Sequence, residues 1–145
     1  MFTHIMVPLD LAEKESSGKS ISIAADLARH YNAKVSLISV TGGINGKVSY
    51  STTEYRRRLS EFARAIASLE KIEIDSHVYD VPDPSVEVDK KLIQAVADHK
   101  IDLIVMATHQ PGWVEYFVNS HAGRLASHAS VSVFVVREDA NDPDP

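Results

Sequence analysis

Asp10, the loop Thr108-His-Gln-Pro-Gly112 and the pair Asn119-Ser120 have the types and positions to do chemistry. Asp10 ends the apolar run Ile5-Met-Val-Pro-Leu9, where a carboxylate can accept hydrogen bonds from a hydroxyl or an amine. The 108–112 loop follows the apolar run Leu103–Ala107. It offers backbone donors and a glycine where a ligand could approach closely. Asn119-Ser120 opens a helical turn whose free N–H groups favour an anion. Singly, each has an ordinary structural use: aspartates cap turns, and Asn-Ser is a good helix N-cap. Their placement along one sheet edge is what raises them.

Other reactive residues do not assemble in the sequence. His121 and His128, on a continuous helix, would stand roughly 10 Å apart along the axis, too far to share an ion. His109 could approach His121, but no acidic or cysteine partner is spaced around them, so no metal site is expected. Asp10, His109 and Ser120 could pass for a catalytic triad, but no Gly-x-Ser-x-Gly elbow holds the serine. Arg56-Arg-Arg58 reads as a solvated helix face. Trp113, Tyr116 and Phe117 read as packing.

The elements that must position these residues follow from periodicity. Ile5–Leu9 is a strand, and Pro8, lacking an N–H, suits its end. Leu11–Ser16 is a polar loop, and Ser16 or Ser17 caps a helix carrying Ile21, Ala24, Ala25, Ala28 and Tyr31 inward. Lys34–Val40 is a β-branched strand, and Thr41–Gly46 a flexible loop. From about Thr52, Tyr55, Leu59, Phe62, Ala63, Ile66 and Leu69 form one helical stripe. Ile72–Tyr79 alternates as a strand, with Ile72, Ile74, Ser76 and Val78 on one side. Ser85 caps a third helix with Val88, Leu92, Ile93, Val96 and Ala97 inward. Ile101–Ala107 is the fourth strand, about Val114–Ser127 the fourth helix and Val131–Val136 the fifth strand. This βαβαβαβαβ order predicts an α/β fold, a parallel sheet with helices on both faces. Ligands in such sheets lie outside the carboxyl ends of the strands.

Bulk composition narrows the function classes. The 145 residues suit one domain, and the net charge is −5. Residues 138–145 hold four of the acids, leaving 15 basic against 16 acidic residues in the body. The last eight residues are expected to be a disordered, solubilising tail, and 1–137 the domain. No basic stripe points to nucleic acid. No apolar run reaches the roughly 20 residues of a membrane span. Cysteine is absent, which excludes disulfides and thiolate metal sites. The first strand begins within a few residues of Met1, so no signal peptide is expected and cytoplasm is the default.

Met1-Phe-Thr-His-Ile-Met-Val-Pro-Leu-Asp10, Val35–Val40, Asp102–His109, Asn119-Ser120 and His128–Val136 together resemble the universal stress protein family, from about residue 1 to Arg137. The resemblance implies a five-stranded parallel sheet with four helices, and ATP bound by many members through Gly-x2-Gly-x9-Gly-(Ser/Thr). Here Ala107, Gln110 and Asn119 stand at the three glycines, and the second gap has eight residues. By the resemblance, Pro8, Leu9 and Asp10 with Val40 hold the adenosine, Val40 through its backbone. Met106, Ala107, Thr108 and His109 flank the ribose and phosphates, and Gln110, Asn119, Ser120 and His121 face the phosphate tail. A Cβ at Asn119 crowds a phosphate, although Asn tolerates left-handed geometry and donates hydrogen bonds. The implied ligand is therefore ATP or, with altered binding, AMP, with Mg only alongside ATP. In the family the last strand pairs antiparallel with its copy, which here implies a homodimer through an apolar edge of Val131, Val133 and Val135. An unidentified protein partner is expected, with the alternative that the chain is an interaction module that binds no nucleotide. No Walker lysine, paired metal carboxylates or activated nucleophile is present, so catalysis beyond slow ATP hydrolysis or autophosphorylation is not expected.

Overall fold

A computed structural model describes residues 1–42, 51–107 and 131–137. Five strands and three α-helices alternate: β1 (His4–Pro8), α1 (Gly18–Tyr31), β2 (Lys34–Thr41), α2 (Thr52–Glu70), β3 (Ile74–Asp80), α3 (Pro84–Asp98), β4 (Leu103–Ala107) and β5 (Ser132–Val136). The strands form one sheet in the order β3-β2-β1-β4-β5, every pair parallel. The expected parallel α/β sheet is thus present. The fourth helix expected over Val114–Ser127, and the tail 138–145, lie outside the described residues.

Alternation along the strands splits the core in two, because successive side chains point to opposite faces. Ile5, Val7, Val35, Leu37, Leu103 and Val105 pack with Ala24 and Ala28 of α1 and with Leu59, Ala63 and Ile66 of α2. Met6, Ile38, Ile104 and Met106 pack on the other face with Val88, Leu92, Ala95 and Val96 of α3. β1, β2 and β4 are almost continuously buried, as strands covered on both faces should be.

Helix ends account for several boundaries. Ser51 accepts a hydrogen bond from Glu54 N–H at the start of α2. α1, α2 and α3 are followed by left-handed residues, Asn32, Lys71 and Lys100. After Lys100 the Ile101 N–H returns to the Val96 carbonyl, 2.9 Å away. This reversal ends α3 and delays β4 to Leu103, two residues after the expected start of the strand at Ile101.

Several local expectations are corrected. Leu11–Ser17 is a 3-10 helix rather than a loop, and Ser17, though it precedes α1, makes no side-chain cap bond. Leu69 is 79 % exposed, since the last turn of α2 runs past the sheet, whereas Tyr55, Leu59, Ala63 and Ile66 are buried. On α3 the buried positions are Val88, Leu92, Ala95 and Val96, and Ala97 faces solvent. α3 also begins at Pro84, a residue pre-organised for the first helical position, which puts Ser85 inside the first turn.

Candidate functional site at the carboxyl edge of the sheet

The chain lays β2 and β3 to one side of β1, then crosses to place β4 and β5 on the other. The seam between β1 and β4 is therefore the topological switch point, where parallel sheets bind ligands beyond the strands' carboxyl ends. β1 pairs with β4 only at Ile5↔Leu103 and Met6↔Ile104. Pro8 follows with no N–H to donate, so the seam is unpaired at its carboxyl end.

Six of the sequence-derived site residues gather here. Pro8, Leu9, Met106 and Ala107 are buried, so what they can offer a ligand is backbone. Val40 lies near the end of β2, opposite Tyr79 and partly buried. Asp10 is exposed. Its Oδ1 accepts from Ala12 N–H at 2.9 Å, capping the 3-10 helix and leaving lone pairs free for another donor. Asp10 thus serves both as the cap that its position suggests and as a forward-facing acceptor. Thr108, His109, Gln110, Asn119, Ser120 and His121 lie outside the described residues.

The turn that presents Asp10 is held from behind by residues that the sequence pattern did not mark. Leu9 N–H donates to the Ile38 carbonyl at 3.0 Å, and Ser39 Oγ donates to the Leu9 carbonyl at 2.7 Å. Leu11 N–H donates to the hydroxyl of Tyr55 at 3.0 Å. Tyr55 is 4 % exposed, and burial pushes its hydroxyl above the usual phenol range, which keeps it neutral. Helical spacing marks Tyr55 only as one member of an apolar stripe. A buried tyrosine must find a partner for its hydroxyl, and that requirement is the one signal of its second role.

β2 closes the same edge. Val81 N–H donates to the Thr41 carbonyl at 2.8 Å. Gly42 follows with φ +148°, and a Cβ there would stand 1.7 Å from the Val81 carbonyl oxygen. This glycine, expected in a flexible loop, is the only residue type that fits. Thr52 Oγ1 donates to Asp80 Oδ2 at 2.6 Å, tying the start of α2 to the end of β3.

The valines of the last strand divide. Val131 is buried in the core on the α3 face and Val133 packs partly against it. The exposed apolar side chains of β5 are Phe134 and Val135, at 42 % and 39 %. β5 is the terminal strand of the order, so it has one neighbour, β4. Among the described residues no group of three or more His, Cys, Asp or Glu side chains is placed to hold a metal ion.

Residues 1–137 match the sequence model of the universal stress protein family. The chain belongs to that family. Universal stress protein A of Yersinia pestis is 24 % identical over 147 residues, covering 99 % of this chain and 98 % of the relative. A universal stress protein structure from Burkholderia pseudomallei aligns with a TM-score of 0.65 at 22 % identity, over 93 % of this chain and 96 % of its own. The universal stress protein of Archaeoglobus fulgidus in complex with dAMP aligns with a TM-score of 0.59 at 17 % identity, over 92 % and 97 %. At these identities the structural likeness establishes the fold, and the family's five-stranded α/β sheet is the one described above.

Proposed function

We propose that this universal stress protein binds an adenine nucleotide at the carboxyl edge of its sheet and acts in stress signalling as a cytoplasmic homodimer with a protein partner. The observation that carries the nucleotide reading is the exposed Asp10 at the β1/β4 switch point, backed by Tyr55 and Ser39. A family member of the same fold holds dAMP, which supports an adenine ligand. Asp10 would accept from a nucleoside hydroxyl or amine, and the backbone of Val40 would border the base. Ala107, Gln110 and Asn119, where nucleotide-binding relatives have glycines, favour a ligand with a short phosphate tail such as AMP over ATP. Mg would accompany only the triphosphate.

Anion-exchange analysis of the supernatant from denatured, freshly purified protein tests this reading, and AMP or ATP is the expected release. A thermal shift with added nucleotide gives a second test, since a ligand of the folded state must raise the midpoint. No released nucleotide and no shift at millimolar AMP or ATP would replace this reading with that of an interaction module without nucleotide, which the three lost glycines favour.

The dimer would form across β5. An uncovered edge strand invites pairing, and Phe134 and Val135 leave apolar surface beside it. Val135→Lys, at an exposed position, is expected to move sedimentation toward monomer. An unchanged dimer would remove β5 from the interface.

A further inference from the structure

On the α3 face of the sheet, a polar cluster with no part in the proposed nucleotide site reaches from β3 to the amino ends of β1 and β2. His4 of β1, Lys34 and Ser36 of β2, Asp75, His77 and Tyr79 of β3, and Asp98 and His99 at the end of α3 meet there. The His77 and His99 rings stack, centroids 4.0 Å apart and planes 26° apart. His77 Nε2 is buried without a hydrogen-bond partner, and Asp75 Oδ1 lies 3.3 Å from it. Tyr79 Oη lies 3.2 Å from Asp98 Oδ2 and 3.3 Å from His99 Nε2. A cavity of about 520 Å³ opens beside the stack, with Arg56 and Ser60 of α2 on its other wall.

Hydrogen-bond chemistry fixes the protons of the neighbouring ring. His4 Nδ1 is 2.7 Å from the His99 carbonyl, which can only accept, so Nδ1 carries the hydrogen. His4 Nε2 lies 2.6 Å from Ser36 Oγ. Ser36 donates its one hydrogen to Asp75 Oδ1. Asp75 Oδ2 is paired with Lys34 Nζ at 2.8 Å. The end of α3 is thus joined to three strands through His4 and the imidazole stack.

We propose that the His77–His99 stack is an acid-operated latch that holds the end of α3 against the β3 edge and releases it when the imidazoles take up protons. Two neutral rings stack favourably, whereas two imidazolium rings at this separation repel. The charges facing His77 do not cancel that repulsion. Asp75 Oδ1, 3.3 Å from His77 Nε2, offsets only part of it, since Asp75 also pairs with Lys34 and accepts from Ser36, while Asp98 faces Tyr79 and Lys34 and Arg56 are cations. Burial holds both His77 and His4 below the ordinary imidazole range, so their neutral forms belong to the closed state. Release would separate Asp98 and His99 from Tyr79 and enlarge the cavity between α2, β3 and α3.

Amide hydrogen exchange on the intact chain, corrected for the intrinsic pH dependence, tests the latch at pH 7.5 and pH 5.5. Opening at Tyr79, His99 and Ile101 is expected to rise about tenfold at the lower pH, because the open state binds protons more tightly than the closed one. Amides of Ile5 and Val105 in the central strands should change far less. His77→Phe and His99→Phe keep an aromatic stack but cannot take up a proton, and each should flatten the response. A pH dependence in both Phe variants as large as that of the unsubstituted chain, or exchange rising evenly across all strands, would overturn the proposal. Should the Phe variants not fold, the ring resonances of His77 and His99 in the unsubstituted protein serve instead. Opening that fails to track the titration of either ring would overturn it equally.

Discussion

The two ends of this sheet are built from different materials. At the carboxyl end, Leu9, Asp10 and Leu11 are held by neutral hydroxyls, those of Ser39 and Tyr55, and by backbone contacts at Gly42 and Val81. In the cluster that reaches the amino end, His4, Lys34, Asp75, His77 and His99 hold one another through groups that gain or lose charge. Hydroxyls and carbonyls keep their hydrogen-bonding roles across the physiological pH range, while imidazoles do not. Among the described residues, the contacts that hold the ligand end are therefore indifferent to physiological pH, and those of the His77–His99 cluster are sensitive.

Breaking the carboxyl end should have the largest effect. Gly42→Ala forces a Cβ toward the Val81 carbonyl in a backbone region that L-residues avoid. It should cost about 2–4 kcal/mol, combining steric overlap with backbone strain. Urea denaturation measures it, and a loss below about 1 kcal/mol would show that β2 and β3 can move apart freely.

Acid comes next and acts at the other end. His4 and His77 bind protons less readily in the fold than in the unfolded chain, so stability is full above the ordinary imidazole range. It falls as pH drops below that range and levels off beneath the lowered folded values. Asp75, held below the usual carboxylate range by the Lys34 and Ser36 hydrogen bonds against the opposing effect of burial, adds a loss at still lower pH. Urea midpoints at pH 7.5, 6.5, 5.5 and 4.5 should decline in that order. Midpoints that rise on acidification would abolish the contrast between the two ends.

Tyr55→Phe sharpens the comparison. It removes one acceptor and leaves Leu11 N–H unpaired, at a cost of about 1 kcal/mol. Because the phenol is neutral throughout, the cost should be equal at pH 7.5 and pH 5.5, and a pH-dependent difference would tie the two ends together. Lys34→Gln should have the smallest effect. The Lys34–Asp75 pair is more than a third exposed and is worth about 0.5 kcal/mol, screened further by salt. A loss insensitive to salt would mean that the pair acts as a buried one.

The parallel sheet was legible because β1, β2 and β4 are covered on both faces and leave uninterrupted apolar runs. Asp10 was legible as well, since a carboxylate ending such a run has few places to go. Side-chain partners across the fold were not. Tyr55 looks like a packing residue until Leu11 N–H is seen to need an acceptor. His4, His77 and His99 share no sequence spacing, and only the strand order and the end of α3 bring them together. Leu69 was misread because it ends the α2 stripe in the helix's last turn, and Ala97 because it follows Val96 in sequence but lies on the helix face opposite Val88. Val131, Val133 and Val135 were read as one edge, whereas Val131, just before β5, and Val133 turn to the α3 core.

β1 is the first strand made and the central one in the finished sheet. Its contact with β2, Ile5 to Val35, closes a much shorter loop than its contact with β4, Ile5 to Leu103. Closing the longer loop costs about 1 kcal/mol more in chain entropy. The β1–β2–β3 half should therefore assemble while β4 is still unplaced, and local pairing of this kind favours fast folding. Pulse-labelled amides of β2 and β3 gaining protection before those of β4 would record that order, and the reverse order would refute it. The switch-point seam would then be the last part of the sheet to close, and the ligand edge would mature late in folding.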